Sequence, residues 1–221
     1  MKREIIITGD GSTTIHLPDW NEQYHSTHGA IQEAYHVFIN NGLECFNNNH
    51  NISILEIGFG TGLNCFITFL EAKINNLNID YTGIEAYPVV HKEIEELNYI
   101  RELKADAKQH IFDKMHSLSW NEKHQISTNF SLIKKEQYFE DINGINVFDL
   151  IYFDAFGARV QPELWTENIF NIMYRALKKN GILVTYSAKG SVRRAMQAVG
   201  FKVERLPGPP GKREMLRGRK D

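Results

Sequence analysis

The sequence is poor in cysteine and has no long apolar run. Cys45 and Cys65 are the only cysteines among 221 residues, so a C-x-x-C motif is not possible and no disulfide framework is implied. No apolar stretch approaches the roughly 18 residues that a membrane-spanning helix needs. The first residues, MKREIIITGDGST, lack the apolar segment followed by small residues that marks a secretory signal. We therefore expect a protein of a reducing, cytoplasmic compartment that has no membrane anchor.

Charge is unevenly distributed along the chain. Charged residues make up 24% and hydrophobic residues 42%, which is ordinary for a globular protein with one sizeable core. Between Lys189 and Asp221 lie ten lysines and arginines but only three acids, a net charge of +7. Because the whole chain carries −2, the remainder carries −9. A basic tail on an acidic body predicts a polyanionic partner, and a merely solubilising tail is the alternative.

Strand-like and helix-like patterns alternate through most of the chain. Asp10-Gly11 lies between two β-rich runs, which indicates a hairpin, and residues 29–46 have a helical apolar spacing. Beyond residue 50 the alternation predicts βαβ units and a mostly parallel sheet with helices on both faces. We expect residues 1–50 to form an extension that covers the site and residues 51–221 to form a Rossmann-like domain, together one folding unit.

Two local expectations follow from the same patterns. Residues 104–128 should be mostly helical, with polar interruptions. An amphipathic helix over residues 163–180 should end at Gly181, because glycine commonly terminates helices. In sheets of this class, ligands bind outside the carboxyl ends of the strands, and the motifs described next fall at such ends.

The segment LEIGFGTGLN places three glycines between a predicted strand and a predicted helix. Glycine lets backbone approach a ligand closely, and the helix start exposes N–H groups. The dinucleotide pattern G-x-G-x-x-G would need glycine at position 63, which is leucine, and this disfavours a nicotinamide cofactor. The pattern E-x-G-x-G-x-G is typical of S-adenosylmethionine (AdoMet) sites. The cofactor-binding residues expected here are Glu56, Gly58, Phe59, Gly60, Gly62 and Asn64.

Acids are expected at the ends of the next two strands. Glu85, with Ala86 beside it, ends the strand YTGIEAY and can accept hydrogen bonds from both ribose hydroxyls. The alternative is an acid that is favoured by the dipole of the following helix. Glu136, which follows the strand-like NFSLIKK, is the candidate acid that faces adenine.

Asp154 ends the strand FDLIYFDAF, beside the expected sulfonium of the cofactor. Its carboxylate can hold an amine in line with the methyl group. Methylation requires the neutral amine, whereas a free alkylamine resembles lysine, with a pKa of about 10.4. Apolar walls from Phe153, Phe156 and Trp165 would favour the neutral form. The alternative reading is that Asp154 only caps the next turn.

Four stretches of the chain carry a resemblance to a known family. They are YHSTHGAIQEAYHVF (24–38), LEIGFGTGLN (55–64), YFDAFGARVQPELWT (152–166) and YSAKGSVRRAMQAVGF…GPPGKREML (186–216). The chain resembles the MnmC-like tRNA-modifying methyltransferases, which use AdoMet to convert 5-aminomethyl(-2-thio)uridine 34 to its 5-methylaminomethyl form. The resemblance implies a mostly parallel seven-stranded sheet with an antiparallel edge strand. It also implies a stand-alone methyltransferase, linked functionally to a separate FAD-dependent oxidase or to another enzyme that makes the aminomethyl group.

The resemblance assigns roles to further residues. Basic side chains that would meet tRNA phosphates are Lys189, Arg193, Arg194, Lys212 and Arg213. Phe156 and Trp165 would grip the base of the anticodon loop, with core packing as the alternative for both. Tyr24, Gly29 and Glu33 would cover the cofactor, or only dock the N-terminal segment. The family commonly carries D-x-F-x-P after the fourth strand, whereas here alanine stands at the proline position.

Parts of the same sequence are also compatible with other functions. His25 and His28 form H-x-x-H, but no acid or cysteine lies nearby at a suitable spacing, and we expect no metal. A spermidine-synthase-like aminopropyltransferase shares the glycine loop, the ribose acid and an aspartate that activates an amine. A small-amine methyltransferase and a non-catalytic nucleotide- or RNA-binding protein are the remaining alternatives.

Overall fold

The N-terminal segment forms a small sheet of its own in the computed structural model, which describes residues 2–46 and 51–221. Strands β1 (Glu4–Ile7), β2 (Thr13–Leu17) and β3 (Glu22–Gln23) pair antiparallel in that order. The predicted hairpin is confirmed, because Asp10 lies in the β1–β2 turn and its Oδ1 accepts hydrogen bonds from the Ser12 amide and the Thr8 hydroxyl.

The main sheet has eight strands in the order β10-β11-β9-β8-β4-β5-β7-β6. Their bounds are β4 (Asn51–Ile57), β5 (Asn78–Glu85), β6 (Lys123–Ser127), β7 (Phe130–Glu136), β8 (Phe148–Phe153), β9 (Leu177–Thr185), β10 (Lys202–Pro207) and β11 (Glu214–Arg219). The five central strands are parallel, β6 is antiparallel at one edge, and β11 is inserted antiparallel between β9 and β10. The predicted Rossmann-like methyltransferase fold is confirmed, with eight strands where seven were expected.

Helices cover both faces of the main sheet. They are α1 (Ala30–Ala34), continued by a π-helical segment (Tyr35–Asn40), then α2 (Leu63–Ile74), α3 (His91–Glu95), α4 (Tyr99–Glu102), α5 (Gln109–Ser117), α6 (Glu167–Ala176) and α7 (Gly190–Ala198). One core contains Phe38, Phe66 and Phe112 from the N-terminal segment, α2 and α5. The other contains residues of α6 and α7 such as Phe170 and Met196. Within the described residues, no helix is both long and apolar enough to cross a bilayer.

Two local predictions were wrong. The region predicted as mostly helical ends its helix at Ser117 and contains strand β6, in which only Ile126 is buried, so the strand has no clear apolar alternation. Helix α6 ends at Ala176, before Gly181. Leu177 already pairs with Phe148 of β8, and Gly181 lies inside β9, where an added Cβ would fall 3.0 Å from a β8 carbonyl oxygen. Sheet pairing therefore overrides the helical pattern at this point.

The parallel strands bring the carboxyl ends of β4, β5, β7, β8 and β9 to one edge of the sheet. The N-terminal segment contacts the chain at this edge. The amide and hydroxyl of Thr13 donate to Asn98 Oδ1 at 2.8 and 3.1 Å, and Arg3 pairs with Glu93 at 2.9 Å. These contacts link residues more than 80 positions apart and hold the small sheet beside the predicted site.

Candidate active site

The glycine loop joins β4 to α2 and lies between two other strand ends. The amides of Gly58 and Phe59 donate to the Ile84 carbonyl of β5 at 3.0 and 2.9 Å. Gly58, Gly60 and Gly62 have φ of +86°, +49° and +72°, a region that disfavours residues with a side chain. A Cβ on Gly58 would lie 2.8 Å from the Asp154 carbonyl oxygen. Only glycine therefore lets this loop lie so close to β8.

Phe59 anchors the glycine loop by packing between β5 and the segment around α5. Its side chain is 3% exposed and packs on Gly83 of β5, with His116 and Trp120 ring centroids 6.2 and 6.1 Å away. A small cavity of about 60 Å³ lies behind the loop, and buried Lys134 donates there to the His116 carbonyl at 2.9 Å. Burial lowers the pKa of Lys134 to about 8.

Two acids lie side by side at the ends of β5 and β7. Glu85 and Glu136 are opposite each other in the strand register. Glu85 is half-buried, and its two oxygens accept from the amides of Gly60 at 3.0 Å and Tyr87 at 2.9 Å. Glu136 is exposed, and Ala86 follows Glu85 at the same edge. Glu85 therefore ties the glycine loop to β5 at the place where the sequence predicts a ribose.

Asp154 lies directly after β8 and is joined to the loop by a buried network. Its amide donates to the Ile57 carbonyl at 3.0 Å, and its Oδ2 accepts from Asn64 Nδ2 at 2.8 Å. The same Asn64 nitrogen donates to Glu56 Oε1 at 3.0 Å, while Tyr81 donates to Glu56 Oε2 at 2.9 Å. Burial raises the pKa of Asp154 to about 7 and raises that of Glu56 well above its usual range. Glu56 is fully buried, and by accepting from Asn64 it holds the amide that donates to Asp154.

An ion pair forms the wall beside Asp154. Glu33 of α1 is 7% exposed, and its Oε2 accepts from the Ser26 amide at 2.8 Å. Its Oε1 accepts from Lys212 Nζ at 2.5 Å, and that ammonium lies 3.9 Å from the Tyr186 ring centroid. Lys212 was expected on an RNA-facing surface. In the structure, Glu33 and the Tyr186 ring hold its ammonium, while 33% of the side chain remains exposed.

Aromatic residues cover the glycine loop. The Tyr24 ring lies against Gly60 and meets Phe156 edge-on, with centroids 4.9 Å apart. Phe156 also contacts Trp20 at 5.9 Å and remains partly exposed. Burial raises the pKa of Tyr24 to about 12. Gly29 precedes α1 and packs on the Asp10 side chain, so it positions the helix that carries Glu33.

Trp165 is a core residue that shapes the loop after Asp154. It is 5% exposed, and its ring packs on Phe153 and Phe170 at 5.0 and 6.3 Å. Its Nε1 donates to the Phe156 carbonyl at 2.7 Å. The packing alternative therefore describes Trp165, whereas Phe156 keeps an exposed surface. The indole has its apolar body in the core and its single donor on the loop, and sequence spacing alone does not distinguish this from a base-gripping role.

The basic residues differ in how far they are exposed. Lys189 and Arg194 are exposed at the start of α7, which follows β9 at the same edge of the sheet as the site. Arg193 is partly buried, and the Arg213 side chain is 90% exposed with Glu214 3.9 Å away. All five predicted RNA-contacting residues are therefore at least partly exposed, including Lys212, whose side chain is 33% exposed.

The histidine motif has a supporting role in the structure. The Nδ1 atom of His25 lies 3.1 Å from the Thr14 hydroxyl, and its Nε2 lies 3.4 Å from the hydroxyl of Thr61 in the glycine loop. Tyr99 donates to that same Thr61 hydroxyl at 3.1 Å. Burial lowers the pKa of His25 to about 4, so the ring is neutral at pH 7. Across the described part of the chain, no three His, Cys, Asp or Glu side chains come together as a metal site.

Several supporting residues were missed by the sequence reasoning. They are Thr61, Tyr81, Tyr99, Lys134 and Tyr186. Tyr99 contacts Thr61 of the glycine loop, and the other three donate to Glu56, to the His116 carbonyl and to the Ala155 carbonyl. Each acts through a partner that is distant in sequence. A tyrosine or a lysine in a strand gives no spacing signal, so the sequence does not mark Tyr81 or Lys134, whose burial is seen only in the fold.

Comparison with known proteins gives consistent results. A family model described as S-adenosyl-L-methionine-dependent methyltransferase matches residues 100–221. The tRNA 5-methylaminomethyl-2-thiouridine biosynthesis bifunctional protein MnmC of Cupriavidus metallidurans is 29% identical over 96% of this chain and 33% of that protein. The protein of the same name from Leptospira borgpetersenii is 30% identical over 90% and 32%. The chain thus spans about a third of the length of these relatives. The crystal structure of MNMC2 from Aquifex aeolicus superposes with a TM-score of 0.78 and 25% identity, covering 98% of this chain and 69% of that chain.

Proposed function

The chain belongs to the family of S-adenosyl-L-methionine-dependent methyltransferases, and we propose that it methylates the amine of 5-aminomethyl(-2-thio)uridine at wobble position 34 of tRNA, the modification named in its relatives. The observation that carries the proposal is the position of Asp154. Its carboxylate lies at the end of β8 and is tied through Asn64 to the glycine loop. A carboxylate beside a cofactor loop suits an amine nucleophile.

The residues around the loop fit AdoMet. A Cβ would lie 2.8 Å from the Asp154 carbonyl oxygen at Gly58 and 3.1 Å from the Tyr24 ring at Gly60, so glycine lets the loop backbone lie close to β8 and to the Tyr24 cover. Asn64 Oδ1 is buried and has no hydrogen-bond partner among the described residues, so an acceptor beside Asp154 is left for a donor group. When bound, AdoMet supplies a methyl group on a positively charged sulfonium. The proposed cofactor residues are Tyr24, Gly29, Glu33, Glu56, Gly58, Phe59, Gly60, Gly62, Asn64, Glu85, Ala86 and Glu136, of which Gly29, Glu33, Glu56 and Phe59 would act by supporting their neighbours.

Asp154 would orient the substrate amine. An amine N–H that donates to Asp154 leaves the nitrogen lone pair free to face the methyl group, and such positioning accounts for most of the rate. The new N–C bond leaves one proton in excess on nitrogen. With its pKa raised to about 7, Asp154 can accept that proton at neutral pH and release it to water. Orienting and proton acceptance are thus assigned to one carboxylate.

The partner surface would lie around α7 and the aromatic cover. Lys189, Arg193, Arg194 and Arg213 would contact tRNA phosphates, which position RNA without reading its sequence. The exposed part of Phe156 would stack on the splayed base. The substrate amine would come from an enzyme that makes the aminomethyl group, and we propose a functional link to a separate FAD-dependent oxidase or to another enzyme of that kind.

Methyl transfer from labelled AdoMet to tRNA that lacks this modification tests the proposal. We expect 5-methylaminomethyl(-2-thio)uridine in the digested nucleosides with the wild-type chain and almost none with Asp154→Asn. AdoMet binding without transfer to this tRNA would contradict the tRNA assignment. Label on polyamines or other small amines would then favour a small-amine methyltransferase or an aminopropyltransferase, and binding without any transfer would favour a non-catalytic protein.

A further inference from the structure

Trp20 belongs to the aromatic cover, and no role has been assigned to it so far. The Tyr24 ring contacts the glycine loop itself, since it lies 3.1 Å from the position of a Cβ on Gly60, and it meets Phe156 edge-on. Phe156 meets the Trp20 ring on another side, with centroids 5.9 Å apart and ring planes at 87°. Trp20 therefore joins the cover through Phe156, whereas Tyr24 joins it through the cofactor loop.

The turn that carries Trp20 is held in shape by its own backbone. It connects β2 to β3, and the Trp20 amide donates to the Leu17 carbonyl at 3.1 Å, while the Asn21 amide donates to the Pro18 carbonyl at 3.1 Å. Asn21 has φ of +46°, a conformation that asparagine adopts more readily than most residues. The indole is thus presented by a defined turn.

Arg159 ties this turn to the loop that carries Phe156. Its Nη2 atom lies 3.0 Å from the Trp20 carbonyl oxygen, 2.7 Å from that of Asn21 and 3.2 Å from Glu22 Oε2. Arg159 follows Phe156 by three residues. A planar guanidinium that contacts several acceptors fixes their positions relative to one another. Arg159 therefore sets where the Trp20 ring lies against Phe156.

The same turn lies beside the segment that follows Asp154. Glu22 Oε2 and the Tyr186 hydroxyl lie 3.6 and 3.7 Å from the position of a Cβ on Gly157. The Tyr186 hydroxyl in turn donates to the Ala155 carbonyl at 2.8 Å. Residues 155 and 157 belong to the loop directly after Asp154, so the turn borders the place where the substrate amine is proposed to bind.

Trp20 and Phe156 together offer a corner of two aromatic rings. Both keep part of their surface exposed, unlike Trp165, which is 5% exposed. Arg159 is paired with Glu22, so the corner carries little net charge and suits an uncharged base better than a phosphate. Bases that are splayed out of an RNA loop stack on aromatic side chains of this kind.

We propose that Trp20 is a second stacking residue for the target base, which with Phe156 forms the pocket that receives uracil 34, and that Arg159 is a positioning residue that holds Trp20 there. Tyr24 serves the cofactor instead. The inference rests on the proposed tRNA substrate and extends it, because it names the residues that hold the base.

Kinetics and calorimetry on the full chain separate the roles of the two aromatic residues. Trp20→Ala should raise KM for tRNA about tenfold, because one stacking contact is lost, and should leave AdoMet affinity within a factor of two of the wild type. Trp20→Phe should recover most of the loss. Tyr24→Ala should weaken AdoMet binding instead. A Trp20→Ala variant with an unchanged KM, or with AdoMet binding as weak as that of Tyr24→Ala, would overturn the assignment.

The role of Arg159 is tested by salt dependence. Arg159→Met should raise KM for tRNA several-fold without changing the slope of log affinity against log salt, because no phosphate contact is lost. Arg159→Lys keeps the charge but not the planar fork, so it should remain impaired. Arg175→Met, an exposed arginine in the last turn of α6, is the control and should behave as the wild type. A reduced slope in Arg159→Met, or full recovery in Arg159→Lys, would make Arg159 a phosphate ligand and overturn its positioning role.

Photocrosslinking tests the contact without catalysis. An anticodon stem-loop RNA with 4-thiouridine at position 34 is irradiated with the wild-type protein, and the crosslinked peptide is identified by mass spectrometry. We expect crosslinks at Trp20 and Phe156, and crosslinks confined to α7 would overturn the pocket even if Trp20→Ala fails to fold. Crosslinking at Trp20 by a wild-type protein that does not methylate tRNA would defeat the proposed reaction and leave the base contact standing. Methylation by the wild type without crosslinks at Trp20 would do the reverse.

Discussion

Asp154 should make the folded protein less stable at the pH at which it works. Its pKa is raised from 3.8 to about 7, chiefly by burial. At pH values between 3.8 and about 7, Asp154 is protonated in the folded state, whereas it has already lost this proton in the unfolded chain. Stability therefore falls as pH rises from about 4 to 7, and it stays reduced above pH 7. Asp154→Asn removes the titration while an amide oxygen can still accept from Asn64.

The size of the effect follows from the same shift. A pKa shift of about three units, at 1.36 kcal/mol per unit, limits the loss of stability to roughly 4 kcal/mol. About two of these three units are lost between pH 5 and pH 8. Because Asp154 as a residue is only partly buried, we expect the variant to gain about 1–2 kcal/mol over the wild type across that interval. For a chain of this length, such a gain raises Tm by roughly 2–8 °C. The same variant should lose most methyl transfer.

Urea unfolding of the cofactor-free protein at pH 5 and pH 8 measures this difference. Asp149→Asn is a matched control on the same strand. Asp149 pairs with Lys178 and accepts from the Ser53 amide, at 2.8 and 2.9 Å, so its replacement should destabilise the protein at both pH values. Free energies of unfolding for the wild type and Asp154→Asn that change in parallel with pH would refute the reasoning.

Three other predictions concern the loop, the surface and the core. Gly58→Ala places a Cβ 2.8 Å from a carbonyl oxygen at positive φ and should weaken AdoMet binding at least tenfold in calorimetry, whereas Gly144→Ala, with ordinary contacts, should bind normally. Changing Lys189 and Arg194 together to glutamine should reduce the slope of log affinity for tRNA against log salt by about 1.4, and an unchanged slope would exclude both as phosphate contacts. Trp165→Phe removes the donor to the loop carbonyl and should cost about 1 kcal/mol in urea unfolding while raising KM for tRNA, and an unaltered KM would separate this residue from substrate binding.

The features that the sequence predicts best are those that depend on local backbone geometry. Helix α2 runs from Leu63 to Ile74, as its pattern indicates, because the glycine loop before it and the apolar spacing within it are both local. Glu85 and Asp154 lie at strand ends for the same reason, since each follows directly on a buried run. Because glycine positions and apolar spacing involve residues that are close in sequence, they predict the local structure without knowledge of the fold.

Predictions that depend on sheet pairing were less accurate. Strand β6 has one buried residue and forms because β7 offers a free edge, and α6 ends at Ala176 because the next residue pairs with β8. Both outcomes are decided by a partner strand, which supplies hydrogen bonds that a helical continuation would have to replace.

The sequence by itself determined the kind of ligand loop, the acids at the strand ends and the excess of positive charge in the tail. Only the tertiary structure decided which basic residue of the tail pairs with a buried acid. Lys212 reaches Glu33 across 179 positions of the chain, and no spacing rule connects them. The sequence around Trp165 does not distinguish a tryptophan that packs in the core from one that contacts the substrate base. A side chain takes its role from the groups that surround it in space, because burial and neighbouring charge set both its contacts and its pKa.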